Sequence, residues 1–302
     1  MSFFNAMAAR SVPFVPKAIV HRISRRYIAG DDIAAAVARI EQLHTSGFAV
    51  TVDVLGEGIS DLTQADANAA EYLALMRSMH ARGLRGQVSV KPSAMGLLLD
   101  EARCESLLEG LLVAAAGLGI SVCLDMEEAF CTQRVIDLAL RLRMRHPHVG
   151  LAVQAYLKRT PQDLGPLMAA GLALRVCKGI YVEDPSLLVE GAATDRQAIN
   201  RPFLDLVDRC FEQGTFVGIA THDEALVAQV VACARERDVD HAAFEFQMLL
   251  GVCEPLRDSL LGMGFAVRIY LPYGRDWYGY STRRLKENPR MAGHVLKALF
   301  RA

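Results

Sequence analysis

The stretch Gly150-Leu-Ala-Val-Gln-Ala-Tyr156 is apolar at almost every position, and Gln154 is its polar exception. A strand with one wet face alternates apolar and polar residues, whereas a strand covered on both faces is apolar nearly throughout. Similar runs occur near residues 48–55, 87–92, 120–126, 172–180, 216–221, 243–249 and 265–271. Such runs predict a parallel sheet that is buried on both faces, as in α/β proteins.

Segments with helical periodicity separate these runs. They lie near residues 61–82, 97–116, 127–145, 161–170, 195–213, 223–236 and 252–263, and another follows the last strand. Eight β–α units within about 250 residues predict a closed (β/α)8 barrel of the TIM type. The competing open sheet usually binds a dinucleotide through G-x-G-x-x-G, but Gly56-Glu-Gly58 is followed by Asp61 at the third glycine position.

The composition argues against several other kinds of protein. The formal charge of −1 gives no reason to expect nucleic-acid binding. The seven cysteines include no C-x-x-C pair, so neither a disulfide framework nor a zinc site is indicated. No apolar run reaches the roughly 18 residues that a membrane-spanning helix requires. We therefore expect a cytoplasmic protein in a reducing compartment, without a bound metal.

Polar residues interrupt the predicted strands near their carboxyl ends. Nine of them are Lys91, Asp125, Gln154, Arg175, Lys178, Thr221, His222, Gln247 and Tyr270. In a (β/α)8 barrel the active site lies at this end, so these side chains should converge on one mouth. Several are cations and Asp125 is the main acid, so we expect the mouth to attract anions.

The last β–α unit, residues 268–289, adds two adjacent arginines. One face of its predicted helix carries residues at i, i+3, i+4 and i+7: Tyr280, Arg283, Arg284 and Glu287. Two guanidinium groups beside a tyrosine suit a small carboxylate with an apolar body. Ordinary pairing of arginine and glutamate on an exposed helix is the alternative, and the spacing alone leaves both open.

Seven blocks of the sequence occur in the order found in one enzyme family. They are Ser89-Val-Lys-Pro-Ser93, Leu124-Asp-Met-Glu127, Val153-Gln-Ala-Tyr-Leu-Lys-Arg159, Arg175-Val-Cys-Lys-Gly-Ile-Tyr181, Ala220-Thr-His222, Phe244-Glu-Phe-Gln247 and the stretch 268–289. Through these blocks, which span roughly residues 45–290, the chain resembles the proline dehydrogenases, the flavin enzymes that start proline breakdown.

The resemblance implies FAD as the cofactor and L-proline as the substrate. Hydride would pass from the ring carbon next to nitrogen to flavin N5, giving Δ1-pyrroline-5-carboxylate. The electrons would go on to a quinone-type acceptor. A separate pyrroline-5-carboxylate dehydrogenase would oxidise the product, because the chain has no room for the additional segments of the bifunctional relatives.

The resemblance also implies roles for individual residues. FAD would be contacted by Met126, Gln154, Arg175, Lys178, Gly179, Ile180, Thr221, His222, Gln247 and Glu287. The substrate would be contacted by Lys91, Leu249, Tyr270, Tyr280, Arg283 and Arg284. The candidate catalytic residues are Asp125, which should hold Lys91 charged and in place, and Arg175, which should lie close to the flavin ring. We expect Gly179 to be glycine because the backbone must approach the cofactor closely.

The chain divides into an N-terminal helical arm, residues 1–45, and a catalytic barrel with a C-terminal tail helix, residues 46–302. Asp31 or Asp32 should cap a helix in the arm, and the last barrel helix should lie over the mouth. The first thirty residues contain no acid and also look like a transit peptide, but Arg26-Tyr-Ile-Ala-Gly30 resembles the family's arm, which we favour. The basic tail after Pro289 should pack on the protein, with at most peripheral contact at the inner face of the membrane.

Two other functions fit parts of the pattern. A Schiff-base aldolase would use Lys178 or Lys91 as a nucleophilic amine. A non-catalytic proline sensor would keep the barrel without turnover. The joint presence of Lys91, Asp125, Arg283 and Arg284 argues against the sensor.

Overall fold

Eight parallel strands close into a barrel in chain order within residues 25–56 and 58–278, the part of the chain that this computed structural model describes. The strands are β1 (Ala49–Val54), β2 (Gly86–Val90), β3 (Ile120–Leu124), β4 (Val149–Gln154), β5 (Ala173–Cys177), β6 (Val217–Ala220), β7 (Phe244–Leu249) and β8 (Val267–Tyr273). Strand β8 pairs with β1 over six residue pairs from Ala49↔Arg268 to Val54↔Tyr273. The predicted (β/α)8 barrel is confirmed.

Helices alternate with the strands and form the outer layer. Helix α1 (Ile33–Thr45) precedes β1, and the others follow β1 to β7 in turn: α2 (Leu62–Ala81), α3 (Glu101–Leu118), α4 (Thr132–Arg143), α5 (Thr160–Ala169), α6 (Asn200–Glu212), α7 (Glu224–Glu236) and α8 (Glu254–Gly262). Asp32, rather than Asp31, caps α1, because its Oδ1 accepts a hydrogen bond from Ala35 N at 2.8 Å.

Three helices begin later than the sequence periodicity indicates, and a short 3-10 turn precedes each of them. Turns at Pro92–Met95, Ala129–Cys131 and Arg196–Ile199 precede α3, α4 and α6. After the first turn, Gly96 adopts a φ of 92°, a left-handed conformation that favours glycine. The first two turns follow β2 and β3 closely, so they shape the carboxyl-terminal mouth of the barrel.

The barrel interior is polar, unlike the shell between strands and helices. Val50 and Val52 of β1 are fully buried in the apolar core. Inside the barrel, Arg175 of β5 donates hydrogen bonds to Gln87 and Ser89 of β2. Strands β5 and β2 are not neighbours, so their side chains meet only through the interior. A hydrogen-bonded polar layer therefore fills the barrel, where a TIM barrel must be packed rather than hollow.

Part of the predicted site lies outside the described residues. This applies to Tyr280, Arg283, Arg284 and Glu287, to the last helix over the mouth, to the tail, and to the arm before residue 25. The division of the chain at residue 45 stays a prediction. Among the described helices, none combines the length and the apolar character needed to cross a membrane.

Candidate active site

Lys91, which directly follows β2, lies at the mouth between two carboxylates. Its Nζ donates hydrogen bonds to Asp53 Oδ1 at 2.9 Å and Oδ2 at 2.8 Å, and lies 3.4 Å from Asp125 Oδ2. The Asp53 side chain is 1% exposed, so this ion pair is almost fully withdrawn from water. The sequence interpretation gave Asp125 the role of holding Lys91, whereas the structure makes Asp53 the closer partner.

Asp125, which follows β3, connects four side chains of the mouth. Its Oδ1 accepts hydrogen bonds from Arg175 Nη1 at 2.8 Å and Ser89 Oγ at 2.6 Å, and its Oδ2 accepts one from the Tyr270 hydroxyl at 2.8 Å. Burial raises the pKa of Asp125, but Lys91 and Arg175 outweigh burial, so the pKa lies below its ordinary value. A carboxylate held ionised in this way is a weak base, better suited to fixing its partners than to taking a proton.

Arg175 of β5 is the centre of the polar interior. Its Nε donates to Gln247 Oε1 at 2.6 Å and its Nη2 to Gln87 Oε1 at 2.8 Å, in addition to the bond to Asp125. Its Cζ lies 5.4 Å from the centroid of the Tyr270 ring, within the range of a cation–π contact. A planar guanidinium can hold this set of acceptors together, whereas a lysine ammonium cannot match its geometry.

Gly218 of β6 makes room for this network. A Cβ atom at residue 218 would lie 2.2 Å from Gln247 Nε2. Gln247 in turn donates to Glu245 Oε1 at 2.7 Å, and Glu245 pairs with Arg268 of β8 at 2.5 Å. The network therefore continues below the mouth through a second pair of opposite charges.

The described part of the mouth carries no surplus of positive charge. Lys91 pairs with Asp53, and Arg175 pairs with Asp125. The third cation, Lys178, has its Nζ 2.8 Å from Asp223 Oδ2. The sequence predicted a cation-rich mouth with Asp125 as the main acid, but each of these described cations has an acidic partner. Net attraction for an anion has to come from other residues, and Arg283 and Arg284 lie outside the described part of the chain.

Asp223 ties the segments after β5 and β6 to helix α6. Beside Lys178 it accepts a hydrogen bond from Asn200 Nδ2 at 3.1 Å, and its own N–H donates to Thr221 Oγ1 at 3.2 Å. The Asn200 Oδ1 atom is buried and has no hydrogen-bond partner within the described residues. A buried acceptor of this kind favours a partner that carries a hydroxyl or an amine.

Gly179, in the segment after β5, requires glycine for a reason that lies within the folded chain itself. Its φ is 99°, and a Cβ atom there would lie 2.3 Å from Cδ1 of the Tyr156 ring. Its carbonyl accepts a hydrogen bond from Arg196 Nη2 at 2.8 Å. Packing against Tyr156 is sufficient to require glycine, so close approach of a cofactor is not needed to explain it.

Gly179→Ala should therefore destabilise the protein more than Gly119→Ala does. Both glycines are left-handed, with φ of 99° and 68°, but a Cβ at residue 119 would have nothing within 4 Å. The left-handed conformation costs alanine about 1–2 kcal/mol, and overpacking against Tyr156 adds about 1–3 kcal/mol. Denaturant unfolding of both variants measures the difference. Equal losses would show that the Tyr156 ring moves aside without cost.

The carboxyl ends of β3 to β7 carry the other predicted contacts, Met126, Gln154, Ile180, His222 and Leu249. Gln154 Nε2 donates to the Glu127 carbonyl at 2.8 Å, which links the ends of β3 and β4. His222 Nε2 accepts a hydrogen bond from Leu249 N at 2.9 Å, so neutral His222 carries its proton on Nδ1. The structure thus brings the predicted residues that it describes to one end of the barrel.

Three acids that the sequence interpretation did not single out belong to this site: Asp53, Glu127 and Asp223. Asp53 interrupts a run that is otherwise apolar at its carboxyl end, and a lone acid in a predicted buried strand was the available signal. Glu127 is 3% exposed and accepts a hydrogen bond from Ser93 N at 2.9 Å. The described residues contain no group of three or more His, Cys, Asp or Glu that could hold a metal ion.

A closed parallel barrel with buried, ionised side chains at the carboxyl ends of its strands defines the class of a (β/α)8-barrel enzyme. The family model described as proline dehydrogenase matches residues 36–297. Proline dehydrogenase 2 of Bacillus subtilis (strain 168) is 31% identical over 274 residues, which cover 91% of this chain and 89% of that protein. Proline dehydrogenase of Deinococcus radiodurans is 31% identical over 284 residues, covering 92% and 90%. The chain belongs to the proline dehydrogenase family.

A solved structure agrees on the fold. Proline utilization A (PutA) from Bdellovibrio bacteriovorus, inactivated by N-propargylglycine, superposes with a TM-score of 0.82 at 20% sequence identity. The match covers 89% of this chain and 33% of that chain. At this identity the likeness supports the barrel architecture and nothing finer.

Proposed function

We propose that this chain oxidises L-proline to Δ1-pyrroline-5-carboxylate with FAD as its cofactor. Family membership supports proline oxidation in proline catabolism. The finer proposal is carried by the buried cluster of Lys91, Asp53, Asp125 and Arg175 at the barrel mouth. Fixed charges in a site withdrawn from water can orient a small zwitterion without reorganising during the reaction.

The residues of the mouth fit a flavin dinucleotide. Four described acceptors surround Arg175, whose guanidinium carries five N–H groups, so one donor remains for the flavin ring. The buried Asn200 Oδ1 beside Lys178 offers an acceptor to a hydroxyl or an amine. We assign the other cofactor contacts to Met126, Gln154, Lys178, Gly179, Ile180, Thr221, His222 and Gln247, and to Glu287 outside the described residues.

The substrate carboxylate is assigned to Lys91 together with Arg283 and Arg284. The described cations are paired, so the two arginines would supply the net positive charge that the carboxylate needs. The pyrrolidine ring is assigned to Tyr270, Tyr280 and Leu249. When bound, FAD supplies the hydride acceptor, its N5 atom, for the ring carbon next to nitrogen.

Asp125 and Arg175 act by holding the site together. Asp125 pairs with both Lys91 and Arg175, and it accepts a hydrogen bond from the Tyr270 hydroxyl. Burial and Asp125 raise the pKa of Tyr270 well above its ordinary value, so its hydroxyl stays protonated and remains a donor. The protein thus contributes orientation of the substrate rather than proton transfer.

We also propose a quinone-type electron acceptor and a separate pyrroline-5-carboxylate dehydrogenase for the product. Both proposals rest on the family resemblance. The bifunctional protein PutA of Escherichia coli (strain K12) is 26% identical, and the match covers 23% of its length. The cytoplasmic location and a peripheral membrane contact are proposals on the same basis.

The aldolase interpretation receives less support. A Schiff-base lysine has to lose its proton before it attacks a carbonyl. Lys91 and Lys178 both lie in ion pairs, with Asp53 and Asp223 at 2.8 Å. Both amines are hydrogen-bonded to a carboxylate, which does not favour either of them as the nucleophile.

The experiment that tests the proposed function is an anaerobic absorbance titration of the purified, FAD-supplied protein with L-proline. We expect the oxidised flavin bands to bleach and the product to be detected by mass spectrometry. L-prolinamide, which lacks the carboxylate charge, is the control and should reduce the flavin far more slowly. A protein that takes up no FAD, or whose flavin stays oxidised with L-proline, would contradict the proposal.

Tyr270→Phe should lower kcat/KM for L-proline while flavin content is retained. The variant keeps the ring beside Arg175 but loses the hydrogen bond to Asp125. One hydrogen bond to a charged group corresponds to about 1.5–3 kcal/mol, or about ten- to a hundredfold. Tyr273→Phe on the same strand is the matched control, since it loses a 3.1 Å bond to Glu71 instead. Equal effects of the two variants on kcat/KM would remove Tyr270 from the site.

A further inference from the structure

Glu127 is a buried acid that the proposed chemistry does not use. It follows β3, two residues after Asp125, and is 3% exposed. Within the described part of the chain, no cation lies within ion-pair distance of its carboxylate. Burying a carboxylate without a neighbouring cation costs free energy, and hydrogen bonds to the carboxylate have to offset that cost.

The hydrogen bonds of Glu127 join the segments that follow three strands. Its Oε2 accepts a hydrogen bond from Ser93 N at 2.9 Å, and its Oε1 accepts one from Ser93 Oγ. Ser93 lies in the 3-10 turn Pro92–Met95, which begins directly after Lys91. The Glu127 carbonyl accepts from Gln154 Nε2 at 2.8 Å at the end of β4.

This arrangement places Lys91 between two anchors. Its ammonium is held by Asp53, and the backbone two residues further on is held by Glu127. Loss of the second anchor would leave the ion pair in place but free the turn that sets the direction of the side chain. We propose that Glu127 is a positioning residue, whose ionised carboxylate fixes the turn after Lys91 and thereby aligns Lys91 with the substrate carboxylate. This inference rests on the proposed function.

The protonation state of Glu127 decides how many bonds it accepts. An ionised carboxylate accepts both the N–H and the O–H of Ser93, whereas a protonated carboxyl turns one of its oxygens into a donor. Burial raises the pKa of Glu127 to about 7, against the lowering effect of Ser93. The other titratable groups around it are Lys91, Asp125 and the thiols Cys104 and Cys131, whose own pKa values are raised by burial to about 12. Positioning should therefore weaken as the pH falls through 7.

Stability should change with pH in the opposite direction. Because the pKa of Glu127 is raised in the folded state, its contribution to stability is greatest at low pH and is lost as the pH rises towards 7. Glu127→Gln is uncharged and isosteric, so it escapes this loss. Ionised Glu127 thus costs stability at the pH values where it positions Lys91. Such a cost is expected of a residue that serves the site and not of one that serves only the fold.

The test compares wild type, Glu127→Gln and Glu128→Gln, using a five-membered-ring carboxylic acid in which a non-titrating atom replaces the ring nitrogen. Calorimetric titration of the FAD-loaded proteins gives Kd at pH 6 and pH 8. We expect Glu127→Gln to bind roughly tenfold more weakly than wild type at pH 8, about the effect of one lost hydrogen bond to a charged group. The two proteins should converge at pH 6, where wild-type Glu127 is protonated. Glu128→Gln, the same change on the neighbouring residue, should match wild type at both values.

Thermal unfolding supplies the second measurement. The Tm of Glu127→Gln relative to wild type should rise between pH 5 and pH 8. Over the same range its affinity for the ring carboxylate should fall below that of wild type. Ser93→Ala removes only the hydroxyl donor. It should weaken binding at pH 8 but should not show the rise in Tm relative to wild type that is expected for Glu127→Gln. Equal Kd values for wild type and Glu127→Gln at pH 8, or a ratio that does not change with pH, would overturn the inference. If wild type binds no ring carboxylate at pH 8, the proposed function fails, and this inference fails with it.

Discussion

Lys91→Met is expected to lower kcat/KM for L-proline by more than a hundredfold and to destabilise the fold by about 3–5 kcal/mol. Lys91 contacts Asp53 at 2.8 Å and Asp125 at 3.4 Å, and all three side chains are at most 13% exposed. Removing the ammonium takes the Lys91 cation away from Asp53 and leaves Asp125 with Arg175 alone as its described cation, in a site with little water. Breaking a buried ion pair in this way costs more than the pair contributes, since a buried carboxylate loses its cation.

A double-mutant cycle separates the ion pair from the catalytic role. Asp53→Asn should cost less stability than Lys91→Met, because Lys91 keeps Asp125 as a partner. Adding Asp53→Asn to Lys91→Met should recover part of the lost stability, since the buried carboxylate that lost the Lys91 cation becomes neutral, but none of the lost activity. Urea unfolding and steady-state kinetics give both quantities. Additive losses of stability, or a Lys91→Met variant with wild-type kcat/KM, would contradict the assignment.

The barrel could be predicted from sequence because its signal is repeated and local. Each strand covered on both faces is a continuous apolar run, as in Gly150–Tyr156, and eight such runs alternate with helical periodicity. The mouth could be predicted for a related reason. A polar residue such as Arg175 or Gln247 stands out inside an apolar run, and the carboxyl ends of all parallel strands meet on one face.

The pairing of these polar residues could not be predicted. Lys91 is 38 residues from Asp53 and 34 from Asp125, and the choice between them depends on the stagger of β1, β2 and β3 around the barrel. A shift of one residue would turn each side chain to the other face. The same holds for Gly179, whose φ of 99° is typical of many glycines, while its contact with Tyr156 exists only in the folded barrel. The turn Pro92–Met95 lies between the predicted strand near 87–92 and the predicted helix near 97–116, a stretch to which the sequence pattern assigned neither element.

Arg175→Met should abolish most activity with L-proline and most of the retained flavin. Arg175 is the shared donor to Gln247, Gln87, Ser89 and Asp125, which lie on or after three different strands. Without the guanidinium these acceptors lose a common partner inside the barrel, and Asp125 loses one of its two cations. Each unsatisfied buried group costs about 1–3 kcal/mol of folding stability. Because Asp125 and the other residues of the mouth also lose their alignment, we expect kcat/KM to fall by more than a hundredfold. Arg175→Lys keeps the charge but cannot reproduce the planar set of hydrogen bonds. Its kcat/KM and retained flavin should lie between those of Arg175→Met and wild type.

Arg268→Lys is the matched control, because Arg268 is the other described arginine that pairs with a carboxylate inside the barrel. It binds Glu245 Oε2 at 2.9 Å and the Val50 carbonyl at 2.7 Å, one layer below the mouth. Arg268→Lys and Arg175→Lys should lose similar stability in urea, since both replace a multidentate guanidinium by an ammonium. They should differ at the site. Flavin content and kcat/KM should fall for Arg175→Lys and stay near wild type for Arg268→Lys. If both variants lost flavin and activity in proportion to their stability, Arg175 would support only the barrel, and the mouth would need another group to orient the flavin.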